Sequence, residues 1–119
     1  MYYQRDEELL KRWSEMSAFS DALFRTHPSN NPAFNAQIVD NEGMALFFKK
    51  FADIFVQLGD YKLELMQEMR RTGLPIVRSL MLEFDDTTLD ISDQFMLGSK
   101  YMVAPIFEKG ATSREVFFP

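Results

Sequence analysis

The sequence has 119 residues, of which 46% are hydrophobic, and a formal net charge of −5. This length and composition fit one globular domain with a real core. The acidic balance, with no basic cluster longer than a pair, argues against binding to a phosphate backbone. The absence of cysteine excludes disulfides and thiolate metal ligands, and a single histidine argues against zinc. No apolar run approaches the roughly 20 residues that span a bilayer, and no signal-peptide core is present. We therefore expect no metal, cofactor, nucleic acid or membrane as a partner.

The first predicted element is a helix from Asp6 to about Phe19. Leu9, Trp13 and Met16 recur at helical spacing and predict its buried stripe. Asp6 is placed to cap the helix. On such a stripe Trp13 is expected to be a core anchor, which we favour over a sugar-stacking role.

The only histidine, His27, lies where this helical pattern gives way to a predicted loop at 28–41. The loop holds two prolines and four asparagines, and at about fourteen residues it is long for a connection. It is either a surface excursion or a functional loop. An imidazole here could hydrogen-bond to the loop, transfer a proton or bind a ligand, and the residue alone does not choose among these roles.

Two helices are predicted next, from about Met44 to Leu58 and from Asp60 to Thr72. The first has a strongly apolar, phenylalanine-rich face. The second ends at Gly73, placed as a C-cap, with Pro75 just beyond. Gly59 and Asp60 mark a kink or short break between the two helices.

The mostly apolar run 75–82 predicts a buried strand. Its one charged residue, Arg78, is either part of a structural ion pair or a site residue, and we favour the structural role. Because a lone strand cannot pair with itself, this one must pair with a hairpin predicted further along or with strands outside the sequence.

The segment 83–93 carries five carboxylates but lacks the glycine and terminal glutamate of a calcium loop. We therefore expect a solvated acidic loop. Residues 94–98 predict one helical turn closed by Gly98. A hairpin is predicted after it, with strands at 101–107 and 114–119 joined by a polar turn at 108–113.

Five short motifs occur in a familiar order along nearly the whole chain. They are Glu8–Trp13, Ala18-Phe19, Phe24–His27, Gly73–Arg78, and Asp93–Gly98 with Val103–Pro105, and the turn Glu108–Ser113 extends the series. Each motif is weak by itself, but together and in this order they are specific. The chain resembles glycoside hydrolase family 31.

The resemblance implies an α/β fold, namely the C-terminal part of a (β/α)₈ TIM barrel followed by the first strands of a β-sandwich. Residues 1–98 would belong to the barrel and 99–119 to the sandwich. The helix at 6–19 would be a late barrel helix, and 42–72 would hold the helices before the last barrel strand, at 75–82. The abrupt start and stop of the chain lead us to expect a fragment.

The resemblance also implies a retaining α-glycosidase, which uses one aspartate as nucleophile and another as acid/base. Both belong to motifs upstream of this chain, so we expect no catalytic residue here and no hydrolysis by the chain alone. His27 matches the family histidine that binds the sugar at the cleavage subsite. Arg25 is expected to orient the loop, with direct sugar contact as the less favoured role. The implied partner is an α-glycoside carbohydrate.

The loop sequence refines the resemblance. Arg25-Thr26-His27 followed by Asn31-Pro32 and Asn35-Ala36-Gln37 looks more like the sulfoquinovosidase branch than the α-glucosidases. The chain departs from the family pattern at Ser79 and Asp60, where prolines are usual, and both changes concern packing and helix geometry. The natural substrate, the compartment and the oligomeric state are not specified by the sequence.

Two other hypotheses are compatible with the sequence. In one, the phenylalanine-rich helix at 43–58 buries its apolar face on a partner, and the chain is a non-catalytic helical protein-interaction module. In the other, the chain is a gene-model fragment that neither folds nor functions. Sequence upstream of Met1 would distinguish these from the enzyme hypothesis.

Overall fold

The computed structural model describes residues 6–21 and 36–119. The helices in these ranges are α1 (Glu7–Ala18), α2 (Glu42–Gln57) and α3 (Gly59–Thr72), and the strands are β1 (Val77–Arg78), β2 (Phe95–Leu97) and β3 (Tyr101–Val103). Short 3₁₀ turns occupy Leu80–Leu82 and Asp86–Thr88. Within the described ranges, every helix is too short or too polar to cross a bilayer.

The start of α1 confirms the predicted helix and its cap. The Asp6 carboxylate accepts a hydrogen bond from the Leu9 backbone N–H at 2.9 Å. This contact satisfies one of the N–H groups that the first turn leaves free.

The predicted buried stripe of α1 is wrong. The buried residues are Leu10, Ser14 and Ala18, whereas Leu9 and Met16 are 42% and 37% exposed. Both stripes have helical spacing, and the one with small side chains allows α1 to approach α2 closely. The larger apolar side chains therefore lie on the open face of α1.

The two later helices agree with the sequence prediction. Only Leu58 separates α2 from α3, and this buried residue is the C-cap of one and the N-cap of the other. Gly73 ends α3 with a φ of +80°, and its N–H donates to the Met69 carbonyl at 2.9 Å. Glycine adopts this left-handed conformation without the penalty that a Cβ brings.

The strand predicted at 75–82 is much shorter in the structure. Only Val77 and Arg78 pair, because the chain then closes a 3₁₀ turn in which the Leu82 N–H donates to the Ser79 carbonyl at 3.1 Å. The sheet order is β1-β2-β3, and both pairs are antiparallel, with Val77 opposite Leu97. The partner of β1 thus lies within the chain.

The helical turn predicted at 94–98 is wrong, since these residues form β2 and the tight turn to β3. Gly98 has a φ of +56°, and its N–H donates to the Ile76 carbonyl at 2.8 Å. A Cβ at Gly98 would lie 2.3 Å from the Tyr61 hydroxyl oxygen. The glycine therefore serves close packing and a reversal of the chain, not the end of a helix.

The hairpin predicted at 101–119 is also wrong. The chain forms its hairpin from β2 and β3, and 104–119 contains no strand. Side chains hold this last stretch instead. Gln94 donates to the Phe117 carbonyl at 3.0 Å and accepts from the Phe117 N–H at 2.8 Å, so a side-chain amide pairs where a strand backbone was expected.

The described core lies between α2, α3 and the sheet. Its buried members are Leu58, Leu65, Ile76 and Leu97. Other large apolar side chains remain exposed, among them Val56 at 75% and Phe107 at 66%. The core therefore covers one side of the helices only.

Candidate functional site

The predicted substrate-binding residues His27 and Arg25 lie outside the described residues. Both flanks of their segment are described, as far as Asp21 after α1 and from Ala36 before α2. The structure therefore defines where this segment leaves α1 and where it returns to α2.

Helices α1 and α2 run in the same direction. At one end Asn41, the N-cap of α2, donates to the Glu7 carboxylate at 2.9 Å. At the other end Lys62, early in α3, donates to the Ala18 carbonyl at 3.3 Å. Between them the Lys11 ammonium lies 5.7 Å from the centre of the Phe47 ring. The two described ends of the connection from α1 to α2 therefore lie at opposite ends of α1.

The exit point of this connection is built around a buried lysine. Lys62 is only 4% exposed. Besides its hydrogen bond to Ala18, its Nζ lies 3.4 Å from the centre of the Phe55 ring, a cation–π contact. Burial lowers the pKa of Lys62 to about 8, and the nearby charge of Asp21 partly opposes that decrease. One side chain thus joins α3, α2 and the end of α1.

The return point is built around Asn41. Its Oδ1 accepts from the Met44 N–H at 2.8 Å, which caps α2. A turn precedes it, in which the Asp40 carboxylate accepts from the Gln37 N–H at 2.7 Å. The second part of the predicted loop is therefore ordered by side-chain capping.

Arg78 is a structural ion-pair residue, the role that its sequence context favoured. It is buried, and its guanidinium pairs with Glu68 at 2.7 Å and with Glu83. Its Nε donates to the Pro75 carbonyl at 2.7 Å. Burial alone would lower the pKa of Arg78, but hydrogen bonds to Glu83 and Glu68 outweigh it and raise that pKa. These contacts tie β1 to α3 and to the turn after β1.

Carboxylates of the acidic segment 83–93 serve local structure. Asp85 accepts from the hydroxyl and the backbone N–H of Thr87, and these hydrogen bonds lower the pKa of Asp85. Asp93 pairs with Arg114. Among the described residues, no group of three or more histidine, aspartate and glutamate side chains could hold a metal ion.

A groove that the sequence pattern did not predict lies beside α1. It has a volume of about 430 Å³ between Leu9, Trp13 and Met16 of α1 and the stretch 105–109. Trp13 therefore lines an open groove instead of anchoring the core. The prediction failed because spacing alone does not show which of two apolar stripes faces the neighbouring helix.

Charged side chains connect the far wall of this groove, the stretch 105–109, and the residues just after it to α1. Lys109 pairs with Asp6, and the Gly110 N–H donates to the Glu8 carboxylate at 2.6 Å. Arg12 donates to the Ala111 carbonyl at 2.9 Å. The polar turn predicted at 108–113 is thus bound to the first turns of α1.

Comparison with known proteins finds similarity to one family. Residues 73–119 match the glycosyl hydrolase family 31 C-terminal domain. The sulfoquinovosidase of Agrobacterium fabrum is 36% identical over 97% of this chain and 18% of its own length. The sulfoquinovosidase of Escherichia coli is 32% identical over 98% of this chain and 17% of its own length. The α-glucosidase 2 of Bacillus thermoamyloliquefaciens is 30% identical over 94% of this chain and 14% of its own length.

A solved structure agrees with these relatives. A family 31 sulfoquinovosidase from E. rectale, in complex with an aza-sugar inhibitor, superposes with a TM-score of 0.91 and 29% identity over 100% of this chain and 18% of its own. The names of all these proteins are those of glycosidases. Along nearly its whole length the chain is similar to members of glycoside hydrolase family 31, and residues 73–119 match the C-terminal domain of that family. It spans less than a fifth of the length of these relatives.

Proposed function

We propose that this chain is a segment of a retaining α-glycosidase in which 1–98 complete a (β/α)₈ barrel and 99–119 begin a β-sandwich. The observation that carries the proposal is the match of the whole chain to the E. rectale sulfoquinovosidase structure. The activity, the substrate and the inactivity of the isolated chain are parts of the same proposal.

The parallel arrangement of α1 and α2 supports the barrel assignment. In a (β/α)₈ barrel successive helices are parallel, because a strand returns the chain between them. The 12 residues of α1 cover about 18 Å. A strand rising about 3.3 Å a residue covers that length in about six residues, which fits within the connection.

The same geometry supports a site role for His27. Under the barrel assignment, His27 belongs to the connection that leads from α1 to the start of α2. In barrel enzymes the helices start at the end at which the strands meet the active site. There a neutral imidazole can donate to, or accept from, a sugar hydroxyl. A contact that strengthens as the ring flattens toward the oxocarbenium-like transition state would raise the rate.

Arg25 lies two residues before His27 and has a different role in the proposal. A planar, permanently charged guanidinium suits it to holding carbonyl or carboxylate groups of the loop. We assign it the task of orienting the loop, with His27 as the group that binds the sugar.

A glycoside of a sulfonated glucose is the substrate class that we favour over a simple α-glucoside. The Agrobacterium fabrum sulfoquinovosidase is 36% identical to this chain, whereas the α-glucosidases among the relatives are 30% to 33% identical. The solved relative is a sulfoquinovosidase as well. This agrees with the loop sequence after His27.

The nucleophile and the acid/base are assigned to polypeptide outside this chain. Asp40 and Asp85 each accept a hydrogen bond within a turn, and Asp93 forms an ion pair with Arg114. These contacts are structural. Without the two catalytic carboxylates the retaining mechanism has no covalent intermediate.

An assay of the purified chain on aryl α-glucoside and aryl α-sulfoquinovoside tests this assignment. We expect no turnover of either substrate above the buffer rate. Turnover that His27→Ala abolishes would show a complete site in these 119 residues and would contradict the proposal.

A non-catalytic interaction module is the second candidate function. The exposed Leu46 and Val56 on α2 favour it, at 60% and 75% exposure. A truncated barrel exposes the same side chains, so the upstream reading frame separates the two. An aspartate-bearing strand-end motif before Met1 would exclude the module.

A further inference from the structure

Lys62 is a charged side chain in a position where an apolar one would cost less. Burying an ammonium group sacrifices hydration that protein contacts replace only in part. The lowered pKa of Lys62, caused mainly by burial, reflects this cost. Its aliphatic stem and the Phe55 ring would pack equally well if a methionine took its place.

The contacts made by the ammonium all lie at one point of the fold. Nζ donates to the carbonyl of Ala18, the last residue of α1, at 3.3 Å. The charge also attracts Asp21, the last described residue before the segment with Arg25 and His27. The Phe55 ring fixes Nζ from the α2 side at 3.4 Å.

We propose that Lys62 is a positioning residue, which fixes the point and direction in which the segment carrying His27 leaves α1. The role at a sugar-binding site rests on the function proposed above, whereas the anchoring itself does not. A carbonyl at a helix C-terminus has no partner within the helix and attracts a cation. Lys62 supplies that cation from α3, so the segment is tied to the body of the fold before it leaves the helix.

An exclusively structural role predicts something different from this. If Lys62 only filled space, Lys62→Met would leave both the packing and the hydrogen exchange of the segment unchanged. If Lys62 anchors the segment, Lys62→Met keeps the packing and removes the hydrogen bond to Ala18 and the attraction to Asp21. The stability of the chain would then stay the same or rise, while the amides just after α1 would lose protection from hydrogen exchange.

Hydrogen–deuterium exchange of the chain at pH 7, read out by peptide, tests the anchor. We expect amides in 19–21 to exchange at least about tenfold faster in Lys62→Met, while the peptide from 65 to 72 is unchanged and the Tm is not lowered. Lys49→Met is the matched control, since it removes an exposed lysine paired with Asp53 on α2. Equal exchange in the wild type and Lys62→Met, or the same increase in Lys49→Met, would overturn the proposal.

A second variant keeps the test decisive if Lys62→Met fails to fold. Lys62→Gln retains a donor for Ala18 but has no charge for Asp21. We expect an increase in exchange at 19–21 smaller than tenfold, and no increase would overturn the proposal. Because exchange needs no substrate, its outcome is independent of the proposed glycosidase activity, which only the activity assays test.

Discussion

Two regions of the molecule differ in how completely their apolar side chains are buried by other residues of the chain. The sheet region, 58–103, has a closed core, a buried arginine with two carboxylate partners, and a glycine turn against Tyr61. The α1 region, 6–21 with 104–111, has paired charges but an open apolar groove and one flank of the His27 segment. The first region is packed by residues of this chain, and the second leaves large apolar side chains exposed at an open groove.

The largest expected effect is in the sheet region, at Gly98. Gly98→Ala places a Cβ 2.3 Å from the Tyr61 hydroxyl oxygen and 2.5 Å from Leu65 Cδ2, at a φ of +56°. We expect a loss of about 4 kcal/mol in the free energy of unfolding, measured by urea denaturation. Gly110→Ala is the control, because its φ is +77° but no atom lies within 4 Å. It should cost only about 1 kcal/mol, and equal losses would refute the close-packing explanation.

The buried ion pair gives the next effect. Arg78→Met leaves Glu83 and Glu68 facing an apolar side chain, and we expect a loss of about 3 kcal/mol in urea denaturation. Arg12→Met is the comparison in the α1 region, where the guanidinium is partly exposed, and it should cost less than about 1 kcal/mol. A smaller loss at Arg78 than at Arg12 would reverse the contrast between the two regions.

Neighbouring leucines on α1 sharpen the comparison within one helix. Leu10→Ala removes a fully buried side chain and should cost about 2 to 3 kcal/mol. Leu9→Ala removes one that is 42% exposed at the groove and should cost less than about 1 kcal/mol. Chemical denaturation of both variants measures this. Equal losses would mean that the groove is closed in solution.

The smallest expected effect is the pH dependence from Lys62. Its pKa is about 8 in the folded chain, against an ordinary lysine value of 10.5, so between these values the unfolded chain binds more protons. The contribution of Lys62 to stability therefore rises with pH from about 8 to about 10.5, by on the order of 1 to 2 kcal/mol. Urea unfolding of wild type minus Lys62→Met isolates it, with Lys49→Met as the control. A difference that does not change between pH 7 and pH 10 would contradict the buried ammonium.

The sequence predicted the elements that local chemistry determines. The cap at Asp6, the three helices and the glycine stop at Gly73 all depend on residues within one or two turns, and all are confirmed. Arg78 was also predicted correctly, because a charge in an apolar run needs a partner.

The failures involve contacts between distant residues. Gln94 pairs with the Phe117 backbone 23 positions away, and no local pattern shows that a side chain will replace a strand. Gly98 has the sequence signature of a helix end, but its conformation is set by Ile76 and Tyr61. Lys62 gave no signal, because the acceptor at Ala18 is known only once α1 and α3 are in contact. The roles of His27 and Arg25 stay predictions.

The central claim is that His27 acts in a family 31 glycosidase once the rest of the enzyme is supplied. Its most direct test is a chimera in which this chain replaces its 117-residue match in the Agrobacterium fabrum sulfoquinovosidase, assayed for kcat/KM on aryl α-sulfoquinovoside. We predict hydrolysis, and a decrease of about 100-fold or more in its His27→Ala variant, with Gln67→Ala unchanged as a surface control. A chimera with a cooperative thermal transition but no hydrolysis, or an active one whose His27→Ala variant keeps full kcat/KM, would contradict the claim.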